Sequence, residues 1–214
     1  APLPDLGVDW PDLATPDSAA TATPAPVSPD TAIADIDAER RYHYTIEGLD
    51  GLEGDRADTL RTRFATLSTL KAGAGKPANV AQINRRARED EGVLNDLLHA
   101  LGYYDARVST RVESAPQSVR VTLAAEPGPL YRFGEVELPG LAGAGDKQGA
   151  LREAFPIKEQ DPVDAEKVTA ALASLKARLG QEGFPFARLG EPDVTVDHES
   201  HLATLRLSVE PEGA

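Results

Sequence analysis

His198 and His201, three residues apart in the stretch DHESH, are the most metal-like pair in the chain. A zinc centre needs a third or fourth ligand at a workable spacing, and DHESH offers only two imidazoles with neighbouring carboxylates. It lies between two strand-like runs, so it reads as a polar turn. His43 and His99 stand alone. Lys71–Pro77, KAGAGKP, has the look of a phosphate-cradling loop. Leu70 occupies its first glycine position and Pro77 its Ser/Thr position, and it follows a helical pattern where that motif follows a strand. The run Glu89, Asp90, Glu91 stands beside Arg85, Arg86 and Arg88, a spacing that predicts i,i+4 ion pairs on a solvated helix face. No G-x-S-x-G elbow occurs, and no cysteine is present to serve as nucleophile or thiolate ligand. These residues point to no enzyme, no cofactor and no metal.

The charge balance narrows the partners. The chain has 214 residues and a formal net charge of -13, which disfavours nucleic acid and anionic lipid as ligands, since both need clustered Lys and Arg. No run of about 18 apolar residues exists to cross a bilayer as a helix. A start at Ala1 rather than Met fits a processed export product and a trimmed chain equally. Residues 1–40 hold seven of the seventeen prolines and eight acids against Arg40 alone. Such a segment buries too little apolar surface to offset its ordering entropy, so a disordered, extended tail is expected there. Trp10, the single tryptophan, is either a short docking motif or an exposed ring in a loose terminus.

The elements that position everything else begin at Tyr42. YHYTIEGL alternates as a strand and stops at Gly48. Leu60, Phe64, Leu67 and Leu70 predict a helix over 55–70. Val80, Ile83, Ala87, Leu94, Leu97, Leu98 and Leu101 predict a longer one, closed by Gly102 as a C-cap. ARVSTRVE and SVRVTLAAE, joined by SAPQ, form a hairpin. The order then restarts. LYRFGEVELPGL is a strand and QGALREAF a short helix. A second helix opens at Asp161 (N-cap) and Pro162 (N1), with Asp164 at N3. Its stripe is Val168, Leu172, Leu175 and Leu179; Gly183 closes it, and a second hairpin follows. Gly102 to Gly183 and Leu123 to Leu207 both give a period near eighty residues, which predicts tandem domains. The expected fold is α+β: two βααββ domains, each a three-stranded mixed sheet on two helices, at 41–128 and 129–212 after the tail at 1–40.

The period is clearest in LGYYDARV and EGFPFARL. After each helix a glycine (Gly102, Gly183) reverses the chain, and aromatics (Tyr103 or Tyr104; Phe184 with Phe186) fold back over the helix end. These are expected to be structural corners rather than ligand platforms.

At these residues a resemblance becomes visible. RRAREDEGVLNDLLHALGYYDARV, followed by the junction Pro127-Gly128-Pro129-Leu130-Tyr131-Arg132-Phe133-Gly134-Glu135-Val136, resembles the POTRA domains of the outer-membrane protein assembly superfamily. The likeness is greatest to the translocation and assembly module (TamA) branch. It covers 41–212. Gln160 departs from it where a glycine often precedes Asp-Pro, and Pro185 interrupts the second aromatic pair. The resemblance implies a non-catalytic periplasmic module, attached to the outer membrane through a β-barrel absent from this chain. It further implies clients that are outer-membrane or autotransporter polypeptides, and an inner-membrane-anchored partner. In a sheet of this topology the second strand pairs only with the third, so an extended client can add to its open edge. Those edges are Ala106, Arg107, Val108, Ser109, Thr110, Arg111 and Val112 in the first domain, within 106–114. In the second they are Ala187, Arg188, Leu189, Val194, Thr195 and Val196, within 187–197. The alternatives are the POTRA region of a two-partner secretion transporter and, in another class, a periplasmic ligand-binding protein or enzyme.

Overall fold

The computed structural model describes residues 39–115 and 118–211, all within the compact unit Ile36–Ala214. The expected tail and Trp10 lie outside the described residues, apart from Glu39 and Arg40. The N-terminal lobe runs β1 (Arg41–Glu47), α1 (Arg56–Leu67), α2 (Thr69–Ala72), α3 (Val80–Ala100), β2 (Arg107–Ser114) and β3 (Ser118–Glu126). Its sheet has the order β1-β3-β2, with β1 parallel and β2 antiparallel to the central β3. A parallel β1–β3 pair requires a long crossover, and the helices supply it on one face. On β3, Val119, Val121, Leu123 and Ala125 all point inward. They meet the stripe Ile83, Ala87, Leu94 and Leu98 of α3 and Leu60 and Phe64 of α1. Each of the larger side chains contributes about 1.5–3 kcal/mol by leaving water.

The predicted 55–70 helix is broken at Ser68, which is extended (φ -66°, ψ 124°). The break has a visible cause in Asp90, which the acidic run placed on a solvated face and which is instead fully buried. Its carboxylate accepts hydrogen bonds from the Ser68 hydroxyl, the Thr69 N–H (2.8 Å) and hydroxyl (2.9 Å), and the Leu70 N–H (3.1 Å). A buried carboxylate is tolerated only when its lone pairs are satisfied in this way. Beyond the break Leu70 turns inward while Leu67 is left 56% exposed. Of the surrounding charges only part forms the expected ladder. Arg85 pairs with Glu89 at 3.7 Å, whereas Arg86 reaches the Tyr42 hydroxyl and Glu91 accepts from Thr110 of β2.

The C-terminal lobe repeats the plan with β4 (Arg132–Glu137), a 3-10 turn (Leu141–Lys147), α4 (Gln148–Ala154), α5 (Ala165–Gln181), β5 (Arg188–Leu189), β6 (Asp193–Asp197), β7 (Leu202–Arg206) and β8 (Val209–Glu210). The sheet order β4-β7-β6, again parallel then antiparallel, matches the first lobe. Its core gathers Tyr131, Phe133, Leu151, Phe155, Leu175, Leu179 and Leu205. Both lobes also share a close approach. A Cβ on Gly48 would lie 1.9 Å from the Ala125 carbonyl oxygen, and one on Gly140 would lie 2.0 Å from that of Val209.

Two expectations are corrected here. The N-cap of α5 is Asp164, whose carboxylate accepts from the N–H groups of Glu166 and Lys167. Asp161 and Pro162 cannot open the helix because they run extended beside the start of β4. Phe133 N–H donates to the Asp161 carbonyl at 2.9 Å, Val163 N–H to that of Tyr131 at 3.0 Å, and Pro162 bridges to Arg132. The second hairpin is also split. Pro192 lacks an N–H for the ladder, and β5 pairs with β8 while β6 pairs with β7.

Candidate partner-binding edges and the seam between the lobes

Among the described residues β2 bonds only to β3, so its other side is an open edge eight residues long. Its alternation is clean: Val108 and Val112 pack toward the helices, while Arg107, Ser109 and Arg111 face solvent. Thr110 faces inward and donates to Glu91 of α3 at 2.6 Å, which ties the strand to the helix beneath it. The strand begins at Arg107. Ala106 belongs to the preceding turn, its N–H donating to the Tyr103 carbonyl at 3.2 Å, and Ala187 makes the same bond to Phe184 at 3.2 Å.

The corresponding edge of the C-terminal lobe is not one strand over 187–197. Arg188 and Leu189 are paired with Glu210 and Val209. The open stretch is β6 alone, five residues with Val194 and Val196 inward, Thr195 outward and a carboxylate at each end. Asp197 also holds the following turn. The Ser200 hydroxyl and then the Glu199 N–H donate to it and keep its carboxyl below the usual range. β2 is therefore the longer edge.

The two helix-to-strand corners share a backbone and differ in what covers them. Tyr103 N–H returns to the Leu98 carbonyl at 3.0 Å and Phe184 N–H to that of Leu179 at 2.9 Å, closing each helix in the same way. Tyr103 is buried, and its hydroxyl accepts from the Glu53 N–H. Phe184 packs on the core of its own lobe. Phe186 does not plug its corner: it is 74% exposed. Pro185 stands where Tyr104 stands in the first corner, and Phe186 takes the place of Asp105.

Tyr104 reaches the C-terminal core and meets the Tyr131 ring edge-on at 5.3 Å, while Leu130 packs back on the N-terminal core. Tyr131 N–H donates to the Gly102 carbonyl at 2.9 Å. Gly102 (φ 89°) approaches the second lobe so closely that a Cβ there would lie 2.5 Å from the Val163 carbonyl oxygen. Arg132 pairs with Glu53 at 2.9 Å, and Arg63 pairs with Glu166.

Beside these contacts lies a polar cluster that the sequence reading missed, because its members come from three separate stretches. Asp105 follows the first corner, Tyr131 enters β4, and His198 and His201 occupy the β6–β7 turn. Tyr131 donates to Asp105 at 2.9 Å, and His198 Nδ1 lies 2.7 Å from the same carboxylate and 2.8 Å from the phenol. His201 Nε2 lies 3.7 Å from Asp105. Those bonds, His198 first, hold the Asp105 carboxyl below its usual range. Loss of water around Tyr131, and then its bond to Asp105, push its hydroxyl up to about 12. The imidazoles thus face a carboxylate and a phenol. Among the described residues no three His, Asp or Glu side chains are grouped to hold a metal ion.

An open cleft of about 440 Å³ adjoins the cluster, lined by Tyr104, Asp105, Ala106, Arg107, Glu126 and Gly128, at the point where β2 begins. No helix among the described residues is long and apolar enough to cross a membrane.

Residues 131–212, the C-terminal lobe, match the model of the POTRA family, described as surface antigen variable number repeat. No curated protein sequence matches the chain. Among solved structures the chain is similar to POTRA3-5 of BamA from Haemophilus influenzae, with 16% identity and a TM-score of 0.44 over 81% of this chain and 66% of that one. It is similar to POTRA1-2 of the periplasmic domain of Omp85 from Anabaena, with 18% identity and a TM-score of 0.43 over 80% and 95%. CdiB from Acinetobacter baumannii is similar at 10% identity and a TM-score of 0.40, over 81% of this chain and 30% of that one. The chain spans just under two thirds of the Haemophilus chain and less than a third of CdiB.

Proposed function

We propose that the chain is a pair of POTRA domains, one per lobe, serving as a non-catalytic periplasmic scaffold of an Omp85-type outer-membrane assembly or secretion protein. The family match on the C-terminal lobe supports the class, and the repeated sheet order extends it to the N-terminal lobe. The observation that carries the activity is the open β2 edge, Arg107–Ser114, whose unpaired N–H and C=O groups offer main-chain pairing to an extended chain. Such pairing tolerates sequence variation in the client, which suits a factor that handles many unfolded β-barrel or autotransporter polypeptides. β6 is the secondary edge. In this reading the chain is tethered to the outer membrane by a β-barrel of the same full-length protein, and an inner-membrane-anchored subunit is a further partner. The LGYY corner favours a TamA-like factor. The proline-rich stretch ahead of two such domains favours, as the second reading, a two-partner secretion transporter.

The test is photo-crosslinking from Ser109, Arg111 and Thr195 to a urea-unfolded outer-membrane β-barrel protein diluted into buffer. Adducts are expected mainly from β2. Arg107→Pro, at the first strand residue where proline disturbs the native ladder least, should cut them several-fold, and Val194→Pro should do so for β6. Undiminished crosslinking in a still-folded Arg107→Pro variant would reject the β2 edge as the docking site.

A further inference from the structure

Three of the four histidines in the chain converge on the seam between the lobes. His198 and His201 face Asp105 and Tyr131, and His99 stacks on Tyr104, whose ring meets Tyr131. Asp105 belongs to the N-terminal lobe and both of its imidazole partners to the C-terminal lobe. Two further ion pairs among the described residues cross the seam, Arg132–Glu53 and Arg63–Glu166, and neither involves an imidazole. The Asp105 contact is different, because imidazole is the side chain that changes charge in mild acid. His198 and His201 are 59% and 44% exposed, so protons reach both.

We propose that Asp105, Tyr131, His198 and His201 form a proton-sensitive latch that sets how firmly the two lobes, and with them the open edges β2 and β6, are held at one mutual angle. One further charge beside the imidazoles favours the same direction. Asp197 lies at the start of their own turn and acts on His198 as a second negative charge. On the far side of Asp105, Arg107 and Glu126 line the cleft with opposite charges. Neutral imidazole offers Asp105 a hydrogen bond; protonated imidazole offers a charge-assisted one. Mild acid therefore tightens the latch and alkali relaxes it. Because the pair is partly exposed, the change in the ratio of latched to unlatched molecules is about two- to fivefold.

The chain lacks cysteine, so spin labels can be placed without background. Labels at Arg88→Cys on α3 and Lys176→Cys on α5, both exposed, report the distance between lobes. The distance distribution should narrow on going from about pH 8 to about pH 5.5. The narrowing should vanish in the His198→Gln, His201→Gln double variant. It should also vanish in Asp105→Asn, which keeps the shape of the cluster and removes its charge, and which decides the matter if the double variant does not fold. A distribution that does not change with pH, or that narrows equally in Asp105→Asn, overturns the latch. Neither result bears on whether a client strand adds to β2.

Discussion

The Asp90 carboxylate accepts the Leu70 N–H at 3.1 Å across twenty residues of chain, in a place closed to water. The same carboxylate takes the Thr69 N–H and two hydroxyls, so one side chain of α3 decides where α1 stops and α2 starts. Asp90→Ala leaves these donors buried without an acceptor. Asp90→Asn presents an amide that can accept on one side only. Each unsatisfied buried group costs about 1–3 kcal/mol, so the expected loss is about 3–4 kcal/mol for Ala and about 2 kcal/mol for Asn. Urea unfolding monitored by circular dichroism measures it. A loss under about 1 kcal/mol for Asp90→Ala would show that the donors find other partners.

The two corners predict opposite sensitivities. The Tyr103 hydroxyl accepts the Glu53 N–H at 2.9 Å, so Tyr103→Phe orphans a partly buried donor and should cost about 1–2 kcal/mol. Phe186, at the aromatic-rich second corner, stands in solvent, and Phe186→Ser should change stability by no more than about 0.5 kcal/mol. Thermal melts of the two variants side by side decide this. Equal losses would mean that Phe186 is covered in solution.

This contrast shows what one sequence can and cannot reveal. The strand and helix order, the repeat and the pairing of β2 with β3 were legible because alternation and helical spacing are local signals. Gly102 and Gly183 were legible as helix stops for the same reason. Which aromatic fills a corner was not, because that depends on what packs opposite: Tyr104 has Tyr131 to meet, while Phe186 meets solvent. Asp90 looked like one more charge on a solvated face, since nothing within its own helix indicates the backbone donors of 68–70. The seam cluster escaped for the plainest reason. Asp105, Tyr131 and His198 are brought together only by folding, and a search for ligands at short spacing sees the two histidines alone.

Alkaline pH should weaken the seam. The Tyr131 hydroxyl titrates near 12 in the folded chain, raised chiefly by burial and then by its bond to Asp105. An unfolded tyrosine loses its proton near pH 10, so above that point the unfolded state binds fewer protons than the native one. Stability is therefore full below about pH 10 and falls as pH rises from about 10 through about 12. Tyr131→Phe should flatten part of this fall, leaving the smaller contributions of Tyr44 and Tyr104, which burial also raises. On the acid side Asp105 and Asp197 act in the reverse sense: both are lowered, so their contribution is present above about pH 4 and is lost below it. Urea midpoints across the pH range check both limbs. A Tyr131→Phe curve with the same alkaline slope as the native chain would contradict the assignment.

Gln160 holds a left-handed backbone, φ 66°, at the position where the POTRA resemblance leads one to expect glycine. Its N–H donates to the Phe133 carbonyl at 2.7 Å and its own carbonyl accepts from Arg132 at 3.1 Å, so the turn is fixed by β4 and cannot relax. A residue with a Cβ costs about 1–2 kcal/mol in this conformation. Glycine removes that strain and adds about 0.5–1 kcal/mol of unfolded-chain entropy. Gln160→Gly is thus expected to hold or raise stability, by up to about 1 kcal/mol. Gly102→Ala makes the converse change at φ 89°, where the new methyl also meets the Val163 carbonyl, and it should cost more than about 2 kcal/mol and loosen the seam. Gly183→Ala, at φ 94° with open space around the new methyl, should cost only the backbone strain. Denaturant midpoints ordered Gln160→Gly, Gly183→Ala, Gly102→Ala from most to least stable are the expected outcome. A destabilised Gln160→Gly would mean that the glutamine side chain, rather than its backbone, holds the turn.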